Sequence, residues 1–250
     1  MGNKMTKYQP TSATTAATAA AYDAGLRKFL LGVYNRMGLA LLLTALLAFL
    51  STQPPLAELI HGVGENGKPS MTLIGLVCAF GPLALILGLG LTGMTRTVTG
   101  SAVALFGVAA LFGLSLGSLA FVYTAASLGM TFAVTAGAFG ALSLFGYTTK
   151  INLNAIGSAC VMLLFGLIIA MIVNIFLKSS AMDLLISLAG VAIFSVMTAW
   201  DTQKLKSSYA ENEGDAAALT IAGNNGALSL YLDFINLFLF LLRLFGQAKD

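Results

Sequence analysis

Two aspartates stand out because each lies within a long apolar run. Asp201 ends the run that includes Thr198, and Asp233 lies within the run that begins at Leu228. An ionisable group inside a membrane span costs about 2.5–3.5 kcal/mol on insertion scales, so it marks a functional site by default. Two carboxylates a few ångströms apart resist double ionisation and can hold one shared proton. They can also exchange that proton for Ca²⁺, a hard cation that carboxylate oxygens bind.

The composition of the chain indicates the environment of these aspartates. Only 9% of the 250 residues are charged and 58% are hydrophobic, whereas a soluble domain has about 25% charged residues. So few charges cannot cover a water-facing surface, and the net charge of +3 is not typical of a nucleic-acid partner. The two cysteines are too few for a disulfide scaffold or a cysteine metal cluster. We therefore expect an all-α integral membrane protein.

Seven apolar segments have the length of about 20 residues that a transmembrane helix needs. The predicted spans are residues 29–50, 71–91, 100–122, 125–147, 153–177, 181–203 and 228–246. The Ser-, Thr- and Ala-rich residues 1–28 are predicted to form a flexible tail, followed by a seven-helix transmembrane domain over residues 29–247. The charged residues 204–215 are predicted to be a loop, and Asn224 and Asn225 indicate a helix N-cap.

The distribution of basic residues predicts the orientation. With seven crossings, nine Lys and Arg residues lie on the side of the N-terminus and four on the other side. Because cytoplasmic loops carry the excess of Lys and Arg, the N-terminus is predicted to be cytoplasmic. Arg36, two turns into the first span, is expected to extend back to the headgroups.

The helical geometry predicts that the two aspartates face each other. The sixth span ends and the seventh begins on the cytoplasmic side, so Asp233 lies about 7–8 Å below the start of its helix, and Asp201 at a similar level. Polar residues spaced by three and four continue from each aspartate along one helical face. This polar path consists of Thr198 on the sixth span and Ser229, Asn236 and Arg243 on the seventh, with Phe240 in the same stripe.

Arg96 is a third candidate because it is the only charged residue in the loop after the second span. An arginine there could pair with one carboxylate, hold it ionised and release it on protonation, as a latch. Two simpler interpretations remain open. Arg96 could be a solvated cytoplasmic residue, and the aspartates could form a hydrogen-bonded pair that only holds two helices together.

Two stretches of the sequence resemble the Bax inhibitor-1 family, also called the transmembrane Bax inhibitor motif family. Gly226–Gly246 fits the C-terminal helix of that family at nearly every residue, and Trp200–Lys206 resembles the end of the sixth helix in its bacterial branch. The resemblance covers about residues 22–247. It implies a bacterial inner (plasma) membrane protein with six helices wrapped around a central C-terminal helix.

The resemblance also implies a pH-sensitive calcium leak that a paired-aspartate sensor controls. Asp201 and Asp233 match the two sensor positions, where protons and Ca²⁺ would bind. The latch arginine of the family lies at the cytoplasmic end of the second helix. In an ungapped comparison Gly93 stands at that place, and Arg96 falls a few residues further on.

A catalytic role is not expected, and no cofactor is expected apart from Ca²⁺ as the bound or transported ion. Intramembrane aspartyl proteases also use a carboxylate pair. Their second aspartate lies in a Gly-x-Gly-Asp motif, where this chain has Tyr231-Leu232-Asp233. Their later Pro-Ala-Leu motif has no counterpart either, because no proline follows Pro82. The alternative that stays open is an interaction protein that modulates a membrane-bound protease or another membrane protein partner, without transport of its own.

Overall fold

The computed structural model describes residues 12–63 and 69–249, which are mostly helical. In chain order the elements are α1 (Ser12–Leu50), α2 (Leu56–Ile60), β1 (His61–Val63), β2 (Pro69–Met71), α3 (Leu73–Leu91), the 3-10 helix Met94–Arg96, α4 (Val98–Leu116), α5 (Leu119–Val122), α6 (Ala125–Thr148), α7 (Asn154–Leu177), α8 (Ser180–Asn212) and α9 (Ala216–Phe245). The strands β1 and β2 pair antiparallel in a short hairpin. Among the described residues, seven helices are long and apolar enough to cross a membrane. The prediction of an all-α membrane protein with seven spans is confirmed.

Serine and threonine side chains fix the starts of several spans. A hydroxyl oxygen at the N-cap accepts a hydrogen bond from a backbone N–H that has no partner within the first turn. Such caps begin four of the long helices: Thr72 before α3, Thr97 before α4, Thr124 before α6 and Ser179 before α8.

The first helix is longer than predicted, and the tail prediction needs correction for residues 12–28. These residues are the N-terminal part of α1, which continues without a break into the first span. Ala-rich sequence favours helix, and Leu26 and Leu30 are buried one turn apart in the hydrophobic core. The ring of Tyr22 packs edge-on against Tyr209 of α8, with centroids 5.3 Å apart. Residues 1–11 of the predicted tail lie outside the described residues.

The predicted loop over residues 204–215 is also wrong, because α8 continues to Asn212 and only three residues separate it from α9. Leu205 and Tyr209 are buried, and this packing keeps the charged segment helical. Asp215 is the N-cap of α9 and accepts hydrogen bonds from the backbone N–H groups of Ala217 and Ala218. We call the end of the bundle at this turn the turn end, and the opposite end the far end.

Asn224 lies inside α9 and is therefore not an N-cap residue. It is buried, and its side-chain amide donates a hydrogen bond to the hydroxyl of Ser101 on α4, at 3.0 Å. The neighbouring Asn225 donates to the carbonyl oxygen of Thr95 at 3.3 Å. The two asparagines thus hold the start of α9 against the beginning of α4.

The last helix has the most buried position among the seven spans. It packs against α1, α4, α6 and α8, while α3 packs mainly on α4 and α7 on α8. Tyr231 of α9 is fully buried and its hydroxyl lies 2.8 Å from the Thr44 hydroxyl of α1, which donates to the carbonyl of Ala109 on α4. The complete ring of six helices around α9 stays a prediction.

Candidate cation site between α8 and α9

The two predicted aspartates lie on the pair of helices with the most extensive contact, α8 and α9. Asp201 is 7% exposed and Asp233 is 2% exposed. Gly226 approaches Leu205, and further along the hairpin Gly190 approaches Phe240. This register places Asp201 level with Ser229, so Asp233 lies about 6 Å deeper, one helical turn from the level that the sequence predicts.

A cavity at the turn end leads to this pair. Its volume is about 370 Å³, and α8 and α9 supply all of its lining. Its polar residues are Asp201, Lys204, Ser207, Ser208, Glu211, Asn225 and Ser229. Water and ions can therefore reach Asp201 from the turn end, while Asp233 lies beyond the cavity.

Lys204 is a site residue that the sequence analysis missed. Its ammonium group forms an ion pair with the Asp201 carboxylate, with Nζ and Oδ1 3.0 Å apart. The same Nζ lies 4.2 Å from the centre of the Trp200 ring, in cation–π geometry. The sequence signal for this ion pair was the i, i+3 spacing of Asp201 and Lys204, which brings two side chains together only on a helix. The predicted loop concealed it.

Within residues 12–63 and 69–249, Asp233 forms no ion pair of this kind. Its Oδ2 atom is buried without a hydrogen-bond partner among the described residues. Taking an unpaired carboxylate out of water costs several kcal/mol, unless a proton or a cation compensates the charge. This is the environment expected for a group that binds one or the other.

The polar path that the sequence predicts is interrupted above Asp233. Thr198 and Asn236 each donate a hydrogen bond to a carbonyl of their own helix, at 2.8 Å. The rings of Phe194 and Phe240 stack with centroids 5.9 Å apart. They belong to an apolar cluster that also contains Ile193, Leu237 and Leu241. In this structure the cluster separates Asp233 from the far end.

The two predicted arginines lie away from the aspartate pair. Arg243, at the far end, pairs with Asp183 at 3.9 Å, and both side chains are substantially exposed. Arg96 is exposed in the 3-10 helix, and within the described part of the chain it forms no ion pair with Asp201 or Asp233. Its role as a latch stays a prediction.

The two aspartates alone do not form a complete ligand set for a metal ion. Among residues 12–63 and 69–249, no group of three or more His, Cys, Asp or Glu side chains is arranged to hold a metal ion. Ca²⁺ takes six to eight oxygen ligands, and two carboxylates supply at most four. An ion at this pair would keep part of its hydration shell and exchange readily.

The fold and the site together define a multi-pass helical membrane protein with two buried carboxylates between α8 and α9, one of which lines a cavity at the turn end. The family model described as "Inhibitor of apoptosis-promoting Bax1" (Bax1-I) matches residues 26–250. The chain belongs to this family, as its resemblance to the Bax inhibitor-1 sequences predicts.

Bacterial relatives match nearly the whole chain. An uncharacterized protein of Caulobacter vibrioides is 47% identical over 230 residues, which cover 91% of this chain and 92% of the relative. An uncharacterized protein of Rickettsia prowazekii is 42% identical over 242 residues, covering 95% and 97%. The inner membrane protein YbhL of Escherichia coli is 42% identical over 227 residues, covering 90% and 94%.

Proposed function

We propose that this protein is a pH-sensitive leak channel for Ca²⁺, in which Asp201 and Asp233 form the proton-controlled cation gate. The observation that carries the proposal is the pair of buried carboxylates on the adjoining helices α8 and α9, of which one lies at the base of a cavity and the other one turn beyond it. The protein would act as a passive channel, with no catalytic step and no resident cofactor.

The charges around the pair give the gate its chemistry. Lys204 already occupies the cation position next to Asp201, so an entering Ca²⁺ must displace the ammonium group. Glu211, nearer the mouth of the cavity, adds negative charge that attracts cations towards the pair. Protonation of either aspartate removes the charge that holds a cation, and this couples the leak to pH.

We further propose that the protein lies in a bacterial inner membrane with its N-terminus and the turn end in the cytoplasm. The inner-membrane relative YbhL supports the membrane. The excess of Lys and Arg on the N-terminal side supports the orientation. In this orientation the cavity opens to the cytoplasm and the phenylalanine cluster faces the outer half of the bilayer.

The test is Ca²⁺ entry into dye-loaded liposomes that contain the purified protein, in mildly acidic and mildly alkaline buffers. The wild-type protein should admit Ca²⁺ faster than empty liposomes, at a rate that depends on pH. Asp233→Asn and Asp201→Asn should each lose the pH dependence and lower the rate at least about tenfold, which corresponds to about 1.4 kcal/mol.

Asp183→Asn is the matched control, because Asp183 is an acid on the same helix as Asp201 but exposed at the far end. It should leave the rate and its pH dependence unchanged. Entry equal to that of empty liposomes in every variant would overturn the leak and favour a protein that only binds a membrane partner. Equal effects of all three substitutions would show that the pair is not the gate.

A further inference from the structure

A groove between α1 and α6 is distinct from the cation site and opens to the side of the bundle. It has a volume of about 480 Å³, and its apolar walls are Leu30 and Leu31 of α1 and Phe139 and Leu144 of α6. The two helices pack against α8 and α9 and are not themselves a closely packed pair. Leu31 and Leu144 are more than half exposed at the groove. In a membrane this opening faces lipid chains.

The groove also contains polar groups, which an apolar lipid contact does not require. Ser143 of α6 lines it and is only 7% exposed, yet its hydroxyl has no hydrogen-bond partner among the described residues. Thr135 and Thr148 of the same helix instead donate to carbonyls of the preceding turn. A buried hydroxyl without a partner leaves one hydrogen bond unmade, which an oxygen of a ligand seated in the groove would accept.

Positive charge lies at the mouth of the groove. Arg27 of α1 is part of its lining and is exposed. Outside the lining, Lys206 of α8 donates to the carbonyl of Tyr147, a lining residue, at 3.0 Å. Ser143 precedes Thr148, the last residue of α6, by five positions, so it lies about 7–8 Å from the end of the helix. From the turn end inwards, the basic mouth therefore comes first, then the Ser143 hydroxyl and the apolar walls. A phospholipid has its charged headgroup, its glycerol and ester oxygens and its acyl chains in the same order.

We propose that this groove binds one anionic phospholipid from the leaflet at the turn end. Its phosphate pairs with Arg27, its glycerol or ester oxygens accept a hydrogen bond from Ser143, and an acyl chain lies along Phe139 and Gly140. The net negative headgroup complements the basic mouth, whereas a zwitterionic headgroup carries no net charge to match it. The site is independent of the proposed cation leak.

The chain offers a matched pair of glycines for the test. Gly140 lines the groove, and a side chain added there meets open space within 4 Å. Gly137 lies on the same helix with the same open surroundings but outside the groove lining. Gly140→Leu should fill the groove without disturbing the fold, and Gly137→Leu should leave it open. Arg27→Gln and Lys28→Gln form a second pair, because only Arg27 lines the groove.

The measurement is native mass spectrometry of the purified protein with added phosphatidylglycerol or phosphatidylcholine of identical chains. The wild-type protein should retain one phosphatidylglycerol, at least about fivefold above phosphatidylcholine, as expected for about one paired basic residue. Gly140→Leu should lose the bound lipid and Arg27→Gln should lose the preference. Gly137→Leu and Lys28→Gln should behave as the wild type, and a large excess of soluble glycerol phosphate should not displace the lipid.

Three results would overturn the proposal. These are equal retention of the two lipids by the wild type, equal retention by the two leucine variants, and displacement of the lipid by glycerol phosphate alone. If Gly140→Leu fails to fold, the two glutamine variants decide the question. Equal loss of preference in Arg27→Gln and Lys28→Gln contradicts a bound headgroup at this groove.

Discussion

The two ends of the α8–α9 pair differ although the same two helices build both. At the turn end the helices enclose a polar cavity with Asp201 and Lys204. Beyond Asp233, towards the far end, Phe194 and Phe240 fill the space between the helices, and the remaining charges lie on the surface. The difference shows that a polar stripe along one helix does not by itself make a path. The neighbouring helix decides which part of the stripe is hydrated and which part is sealed.

This comparison assigns different tasks to the two ends. The turn end concentrates the charged groups that attract or repel a cation. In the proposed channel the apolar cluster would supply the barrier, because an ion that leaves water for an apolar region loses its hydration energy. A cation that crosses the protein must therefore pass the carboxylates and then wait for the phenylalanine rings to separate.

The largest effect is expected from removing that barrier with Phe240→Ala. Truncation of a buried phenylalanine costs about 3–5 kcal/mol of stability and leaves a cavity. We expect Ca²⁺ entry into liposomes to rise about tenfold and to continue at acidic pH, because the rings no longer close the far end.

Phe238→Ala is the control for this substitution. Phe238 is a half-buried residue of the same helix that contacts Phe132 rather than Phe194. It should leave Ca²⁺ entry unchanged. If both alanine variants raise the rate alike, general loosening of the bundle explains the effect, and the apolar cluster is not the barrier.

A smaller effect is expected at the turn end from Lys204→Gln, which removes the ammonium group that competes for Asp201. Partly exposed ion pairs contribute about 0.2–1 kcal/mol, so the Ca²⁺ concentration that gives half-maximal entry should fall about two- to fivefold. Lys206→Gln, two residues further on, removes a charge that contacts the Tyr147 carbonyl instead. It should not change that concentration. An unchanged value in Lys204→Gln would show that the lysine does not compete with the ion.

The smallest effect concerns His61, which lies outside the spans and packs edge-on against Phe121 with ring centroids 5.2 Å apart. Burial lowers the pKa of the His61 imidazole below its usual value. The folded protein therefore favours the neutral ring and loses stability as the pH falls below about 6.5, where the unfolded chain binds a proton more readily.

The melting temperature in detergent should accordingly fall on acidification, and His61→Gln should reduce this fall by a few degrees at most. The measurement compares both proteins in neutral and acidic buffer. Identical acid sensitivity of the two proteins would show that His61 contributes nothing to it.

The sequence allowed the seven spans to be predicted because their length and hydropathy are set by the membrane. The ends of α1 and α8 were not predictable in the same way. Beyond the membrane, these helices are held by a few buried side chains such as Leu26, Leu205 and Tyr209, and alternation with charged residues conceals that packing. Hydropathy marks where a helix is surrounded by lipid and not where it stops.

The site was predictable to a similar degree. Asp201 and Asp233 were identified because a charge in an apolar run is rare, and the structure places them on adjoining helices. Lys204 was missed because a contact across one turn is invisible in a segment predicted to be a loop. The stacked rings were missed because Phe194 and Phe240 come from different helices, and only the close approach at Gly190 brings them together.

The three-residue turn between α8 and α9 has a practical consequence. The 33 residues of α8 give a rod of about 50 Å, whereas the hydrocarbon core is about 30 Å thick. The hairpin therefore projects from the membrane as two joined helices with no flexible linker. A compact soluble protein inserted between Glu213 and Asp215 would inherit the orientation of the bundle. Such a fusion would supply the rigid external mass that particle alignment in electron cryo-microscopy requires for a protein of 25.9 kDa.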